Sequence, residues 1–331
     1  MKQLLTAALC AMTLWACGPT TETRQANDSV GERVSDARTR NDGPAMWVAT
    51  DHDSTLYLFG TVHLLPDDLD WQREDVRSAF AAAGTVFFEV DTGPEGQVEA
   101  TVMTTSLGLR DDGLRLSDGL DSYQLKLLDA AANNGDLSLA ALDSMKPWLA
   151  SEFLTFAAAQ NAGLSADLSA DEALKSRAAR TGKNIIYLES VEAQLLASAG
   201  LPDFVQMRLL TETLEKFNSL GTDMTRIAEQ WAVGGTDYLT EQLVTPMRAR
   251  APEVFNALLR DRNRAWALRL AQFMDDSGTG FVAVGTSHLL GEESLIEELK
   301  EQGYDVRRYY AFQGENVINT TDAKILRPGR E

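Results

Sequence analysis

A six-residue word, GTxHLL, is written twice in this chain, each time in the same local setting. LYLFGTVHLLPDDL spans residues 56–69 and FVAVGTSHLLGEES spans residues 281–294. An unbroken apolar run precedes each word. Acidic residues, a helical pattern and a second strand come after it, the apolar TVFFEV at 85–90 and the more polar YDVRRYY at 304–310. Continuous apolar runs of this length read as strands buried on both faces. Both copies therefore predict strand–GTxHLL–acid–helix–strand.

The rest of the chain fits around these two units. MWVATD and STLYLFGTV read as strands joined by a turn at Asp51-His52-Asp53, with His52 a solvated loop residue. WQREDVRSAFAAAG, 71–84, predicts a helix closed by Gly84. Between the copies lies a largely helical insert, interrupted by a strand at NIIYLES, 184–190. PEVFNALLRDRNRAWALRLAQFMDD, 252–276, predicts one long helix with Pro252 near its start. The expected fold class is α/β: a central sheet covered by helices, built from two strand–GTxH–helix–strand units flanking the helical insert.

Each copy places a histidine just past the carboxyl end of a buried strand, the edge where open α/β sheets bind ligands. The chain has three histidines, and two of them, His63 and His288, stand here. The glycine of each word allows a sharp turn and close approach of a ligand. Two units packed about a pseudo-dyad would aim both imidazoles at one cleft, and imidazole is the commonest protein ligand for divalent transition metals. A catalytic metal needs about three protein ligands. Glu89 is the best carboxylate, since an ionised acid inside an apolar strand is costly unless it is metal-bound or paired with an arginine. Glu189 has the same character at the end of NIIYLES. Arg262, beside Asn263 in LLRDRNRAW, either pairs one of these acids, stabilises an oxyanion, or belongs to a solvated face with Arg260, Arg264 and Arg269.

Several chemistries are excluded. The two cysteines, Cys10 and Cys17, leave the body without a disulfide, a thiolate metal site or a cysteine nucleophile. G-x-S-x-G, HExxH, a Walker loop and a strand-following GxGxxG are missing. Trp148, Trp231, Trp266, Met145, Met207 and Met224 read as core. A net charge of −19 argues against nucleic acid as a partner and against docking on an anionic membrane through a basic patch. Residues 1–16 read as a signal peptide, and LWAC resembles a bacterial lipobox ending at Cys17. With Gly18 next, the expected address is the cell envelope, anchored by lipid to the periplasmic face of the outer membrane. Residues 17–44 read as the lipidated cysteine and a flexible tether, 45–313 as the domain, and 314–331 as a loose tail.

Taken in order, LYLFGTVHLLP, TVFFEVD, DEALKSRAARTGKNIIYLESVEAQ, LLRDRNRAWA and FVAVGTSHLLGEESLIEELKEQGYDVRRY resemble the TraB/GumN family, which includes the Tiki metalloproteases. The resemblance implies an erythromycin-esterase/ChaN-like fold and a divalent-metal hydrolase, with peptidase activity in the Tiki branch. His63 and His288 match the paired motif histidines, Glu89 the acid after the first unit, Glu189 the acid of the "LE[ST]" segment, and Arg262 the helix arginine. LSADEALK departs from the family's Gly-hydrophobic-Asp pattern, so the resemblance assigns nothing to Asp171.

The expectation is a lipid-anchored, metal-dependent hydrolase of peptides or small molecules. His63, Glu89 and His288 would hold Mn²⁺, Zn²⁺ or Co²⁺, with Glu189 as general base and Arg262 as electrostatic stabiliser. Its rivals are a non-catalytic haem- or metal-binding lipoprotein and a metal-independent esterase with histidine as base.

Overall fold

The computed structural model describes residues 43–310. The expected signal peptide, lipobox and C-terminal tail, and the expected tether up to residue 42, lie outside the described residues; Gly43 and Pro44, assigned to that tether, are buried. Six strands form one mixed sheet: β1 (Met46–Thr50), β2 (Ser54–Thr61), β3 (Thr85–Phe88), β4 (Asn184–Tyr187), β5 (Gly278–Gly285) and β6 (Asp305–Arg308). Their order across the sheet is β4-β3-β5-β2-β1-β6. The first four in that order run parallel, and β1 runs antiparallel between β2 and β6.

The expected α/β class is what the chain forms, and the place of β5 decides where the site lies. The crossover from β2 through helix α1 (Glu74–Ala82) to β3 skips one sheet position. Some two hundred residues later β5 fills that gap, pairing Thr61 with Gly285 on one side and Phe88 with Ala283 on the other. The two GTxHLL words therefore leave neighbouring parallel strands at the same edge.

The helices that carry the argument are α2 (Pro94–Gly108), α3 (Ser122–Asn134), α4 (Pro147–Asn161), α5 (Ala170–Arg180), α6 (Val191–Ala199), α7 (Asp203–Ala232), α8 (Asp261–Met274) and α9 (Leu295–Glu301). One sheet face, with Phe59, Val86, Phe88 and Phe281, packs on α1, α5 and the end of α7. The other, with Leu56, Leu58, Phe87 and Val282, packs on α8 and α9. The helices of the two GTxHLL units thus lie on opposite faces, as right-handed crossovers running in opposite directions along a sheet require. A further core of α2, α3, α4, α6 and α7 builds the helical insert around Leu149, Leu154, Leu195 and Leu210. Among the described residues no helix is long and apolar enough to cross a membrane.

The long helix expected at 252–276 is continuous but not uniform. An α turn at Pro252–Phe255 passes into a π turn at Asn256–Arg260 and only then into α8. π turns of this kind recur at functional sites, because the extra residue rotates the next turn of helix about the axis. Here the first residues after it are Asp261, Arg262 and Asn263.

Candidate functional site

Gly60 serves close approach, and neither glycine of the two words turns the chain through the left-handed region. Neither has a positive φ. A Cβ on Gly60 would stand 2.7 Å from Thr286 Oγ1 and 3.0 Å from Thr286 Cα, so the first word has room for the second only as glycine. The Gly60 carbonyl accepts a hydrogen bond from Trp231 Nε1 at 2.7 Å, tying the end of α7 to this edge. Gly285 donates its N–H to Glu89 Oε1 at 2.6 Å.

The loop after β2 is pinned to the start of α5. Leu65 and Ser165 exchange backbone hydrogen bonds, and Ala170 donates to the Val62 carbonyl. These contacts bring Asp171, in the first turn of α5, against the first histidine. His63 Nδ1 lies 2.8 Å from Asp171 Oδ2, and Thr61 Oγ1 donates to Asp171 Oδ1 at 2.8 Å. A buried carboxylate on Nδ1 fixes the ring and leaves Nε2 with the lone pair. No protein group hydrogen-bonds Nε2 among the described residues. Burial presses the His63 pKa down, but the charge and hydrogen bond of Asp171 reverse this, and the net shift is upward. Burial pushes Asp171 up, yet the His63 charge and hydrogen bond hold it below the usual range.

His288 has another environment. It is fully buried, against 9% exposure for His63, so solvent reaches only the first imidazole. Its ring packs on Trp266 at 4.3 Å between centroids. Nδ1 faces Asn263 Oδ1 at 2.6 Å, and Asn263 Nδ2 is in turn fixed on the Glu293 carbonyl. Nε2 faces Arg262 Nη1 at 3.1 Å. A guanidinium has no acceptor, so His288 Nε2 accepts and Nδ1–H donates. The ring is a neutral imidazole. Burial, then the Arg262 charge, hold its pKa down to about 3.

Arg262 is the centre of the cluster. Its Nε donates to Glu189 Oε2 at 3.0 Å, and Nη2 to Glu89 Oε2 at 2.8 Å and Glu189 Oε1 at 2.7 Å. Nη1 meets the Leu258 carbonyl at 2.9 Å as well as His288. Five N–H groups find five acceptors, and the plane lies over Trp266. Both acids sit past the ends of adjacent parallel strands, where Glu189 N donates to the Glu89 carbonyl. Burial raises the Glu89 pKa, but Arg262 first, then His288, His63 and the Gly285 N–H, bring it down to about 2. For Glu189 burial wins over Arg262 and the shift is upward. Gln194 Nε2 adds a 3.2 Å bond to Glu89 Oε2, while Gln194 Oε1 and Ser287 Oγ are buried without partners.

All five residues expected from the sequence come to one sheet edge, in altered roles. Arg262, held by both acids, is buried rather than part of a solvated face, so the arginine-paired reading of Glu89 is the one the geometry bears out. With every donor taken, Arg262 offers nothing to an oxyanion, and with both oxygens on Arg262, Glu189 is not a free base. His63, Glu89 and His288 do not present three donor atoms to one point. Among the described residues the three-donor clusters within 4.8 Å reduce to Asp51, His52 and Asp53, an exposed turn. His288 Nε2 and Glu89 Oε2 face Arg262 while Glu89 Oε1 is held by the Gly285 N–H, so in this arrangement the residues do not fit a metal held by that trio. Asp171 and Gln194 were not legible. Asp171 stands where any helix favours an acid, and it is the backbone bonds of Leu65 with Ser165 and of Ala170 with Val62 that bring it to His63.

A family model, the TraB/PrgY/gumN family, matches residues 45–308. No curated protein and no solved structure matches the chain.

Proposed function

The chain belongs to the TraB/PrgY/gumN family, and from that premise we propose that it is a hydrolase in which His63, oriented by Asp171, activates water against an ester or amide carbonyl. One observation carries this reading: His63, the less buried of the two motif histidines, has its Nδ1 on a buried carboxylate, while its Nε2 hydrogen-bonds no protein group among the described residues. Such a pair is a general base in search of a proton. Nε2 takes a proton from water as oxygen attacks the carbonyl carbon. The imidazolium so formed is stabilised by Asp171 and by the Glu89 charge, and it returns the proton to the leaving group. Arg262, Glu89, Glu189, His288 and Asn263 form the rigid floor beneath. Peptide cleavage, and placement in the envelope by a lipid on Cys17, belong to the same proposal.

Purified protein is assayed on p-nitrophenyl acetate and on a labelled unstructured peptide, with and without EDTA. Wild type is expected to keep its rate in EDTA, and His63→Gln to lose it by about 10²–10⁴-fold, the usual worth of a general base. A rate abolished by EDTA and restored by Mn²⁺, Zn²⁺ or Co²⁺ would overturn this reading in favour of a metal hydrolase. That outcome would require Arg262 to release Glu89 and His288.

A further inference from the structure

Glu152 lies in the middle of α4, 3% exposed, with Oε2 unpartnered. One turn earlier on the same face, Trp148 Nε1 is also buried without a partner. An apolar side chain at either place would cost less, since a buried polar group without a hydrogen bond is unfavourable by about 1–3 kcal/mol. Both side chains face one small cavity, which Ser198, Leu201, Leu209 and Leu258 complete. Its volume is about 10 Å³, room for a single water. The cavity backs directly on the site. Ser198 stands one turn beyond Gln194 on α6, and Gln194 holds Glu89. Leu258 gives its carbonyl to Arg262.

We propose that this cavity is a site for one buried water, bonded to Glu152, Trp148 and Ser198, and that Glu152 acts through it as a positioning residue for the Gln194–Glu89 contact. The donors and acceptors match. Trp148 Nε1–H and the hydroxyl of a neutral Glu152 both donate to the water oxygen, and the water donates to Ser198 Oγ. Burial, with nothing opposing it, pushes the Glu152 pKa well above the usual carboxylate range, which favours the neutral form. A bound metal cation in place of water would need several more oxygen ligands than one hydroxyl provides. Through Ser198 the water fixes the roll of α6, and with it the reach of Gln194 to Glu89.

The experiment does not depend on catalysis, so it stands or falls apart from the hydrolase reading. Crystal structures of wild type, Glu152→Gln and Glu152→Leu are compared at neutral pH, with infrared spectra of the wild type and Glu152→Gln. One ordered water is expected in wild type and in Glu152→Gln, with Gln194 on Glu89 in both. The infrared band of a protonated carboxylic acid at neutral pH is expected to lose intensity in Glu152→Gln. Leucine is expected to empty the cavity and withdraw the Gln194 amide from Glu89, which glutamine, as the conservative variant, preserves. A dry cavity in wild type, an unchanged infrared band, or a Gln194 unmoved in Glu152→Leu would overturn the proposal.

Discussion

Two histidines in the same six-residue word end in opposite states, and the difference is made by residues outside the word. His63 meets Asp171 and solvent; His288 meets Arg262, Asn263 and Trp266 and is sealed. The word was legible as a strand-end histidine, but which partner each ring finds depends on chain more than a hundred residues away from His63. One consequence is a pH profile. A base works only when deprotonated, and Asp171 holds the His63 pKa above its ordinary 6.5. Activity is expected to fall as pH drops through that raised value. Asp171→Asn is expected to move the acid limb of kcat/KM to lower pH while lowering the plateau; an unmoved limb would detach Asp171 from the base. Arg262→Ala leaves two buried acids without their cation and His288 Nε2 without its donor, and a loss of about 3–5 kcal/mol in denaturant unfolding is expected. Arg262→Lys restores charge without the fork and is expected to recover only part of it.

Among the strands and helices, apolar periodicity is a good guide, because buried parallel strands and packed helices imprint their burial on the sequence. β1 to β5 fall where runs of apolar residues put them, whereas β6, DVRR, is marked only by its place after α9. What periodicity does not carry is phase within a continuous helix. The π turn at Asn256–Arg260 is invisible in composition, yet it precedes the residue that links Glu89, Glu189 and His288. The glycines show a similar limit: their presence marked the two words, but not that Gly60 leaves space for Thr286. Gly60→Ala is expected to cost about 1–3 kcal/mol by overpacking, measured as a lower denaturant midpoint. Gly84→Ala, with no atom within 4 Å of the added methyl, is the control expected to change little.

For the molecule as a unit, the decisive event is the late insertion of β5 between β2 and β3, which draws both words and both acids to one edge. It also explains why the site is mostly sealed: helices close both sheet faces around a polar cluster that must satisfy itself. Such a cluster ties stability to pH. The folded pKa of His288, about 3, lies below its unfolded value of 6.5. The unfolded chain therefore takes up protons first, and the contribution of a neutral His288 is complete above pH 6.5 and lost as pH falls toward 3. Over that window a decline on the order of 4 kcal/mol is expected from this group, and His288→Gln is expected to flatten it in urea titrations. Equal acid sensitivity in both proteins would contradict a buried neutral imidazole.

The protonation states of the two rings decide the account, and nitrogen NMR of ¹⁵N-histidine protein, assigned with His63→Gln and His288→Gln, reads them directly. His63 is expected to titrate with a midpoint above 6.5 that drops in Asp171→Asn, while His288 stays neutral with its proton on Nδ1 from pH 8 to about pH 5. A titrating His288, or joint shifts of both rings on adding Zn²⁺, would contradict it.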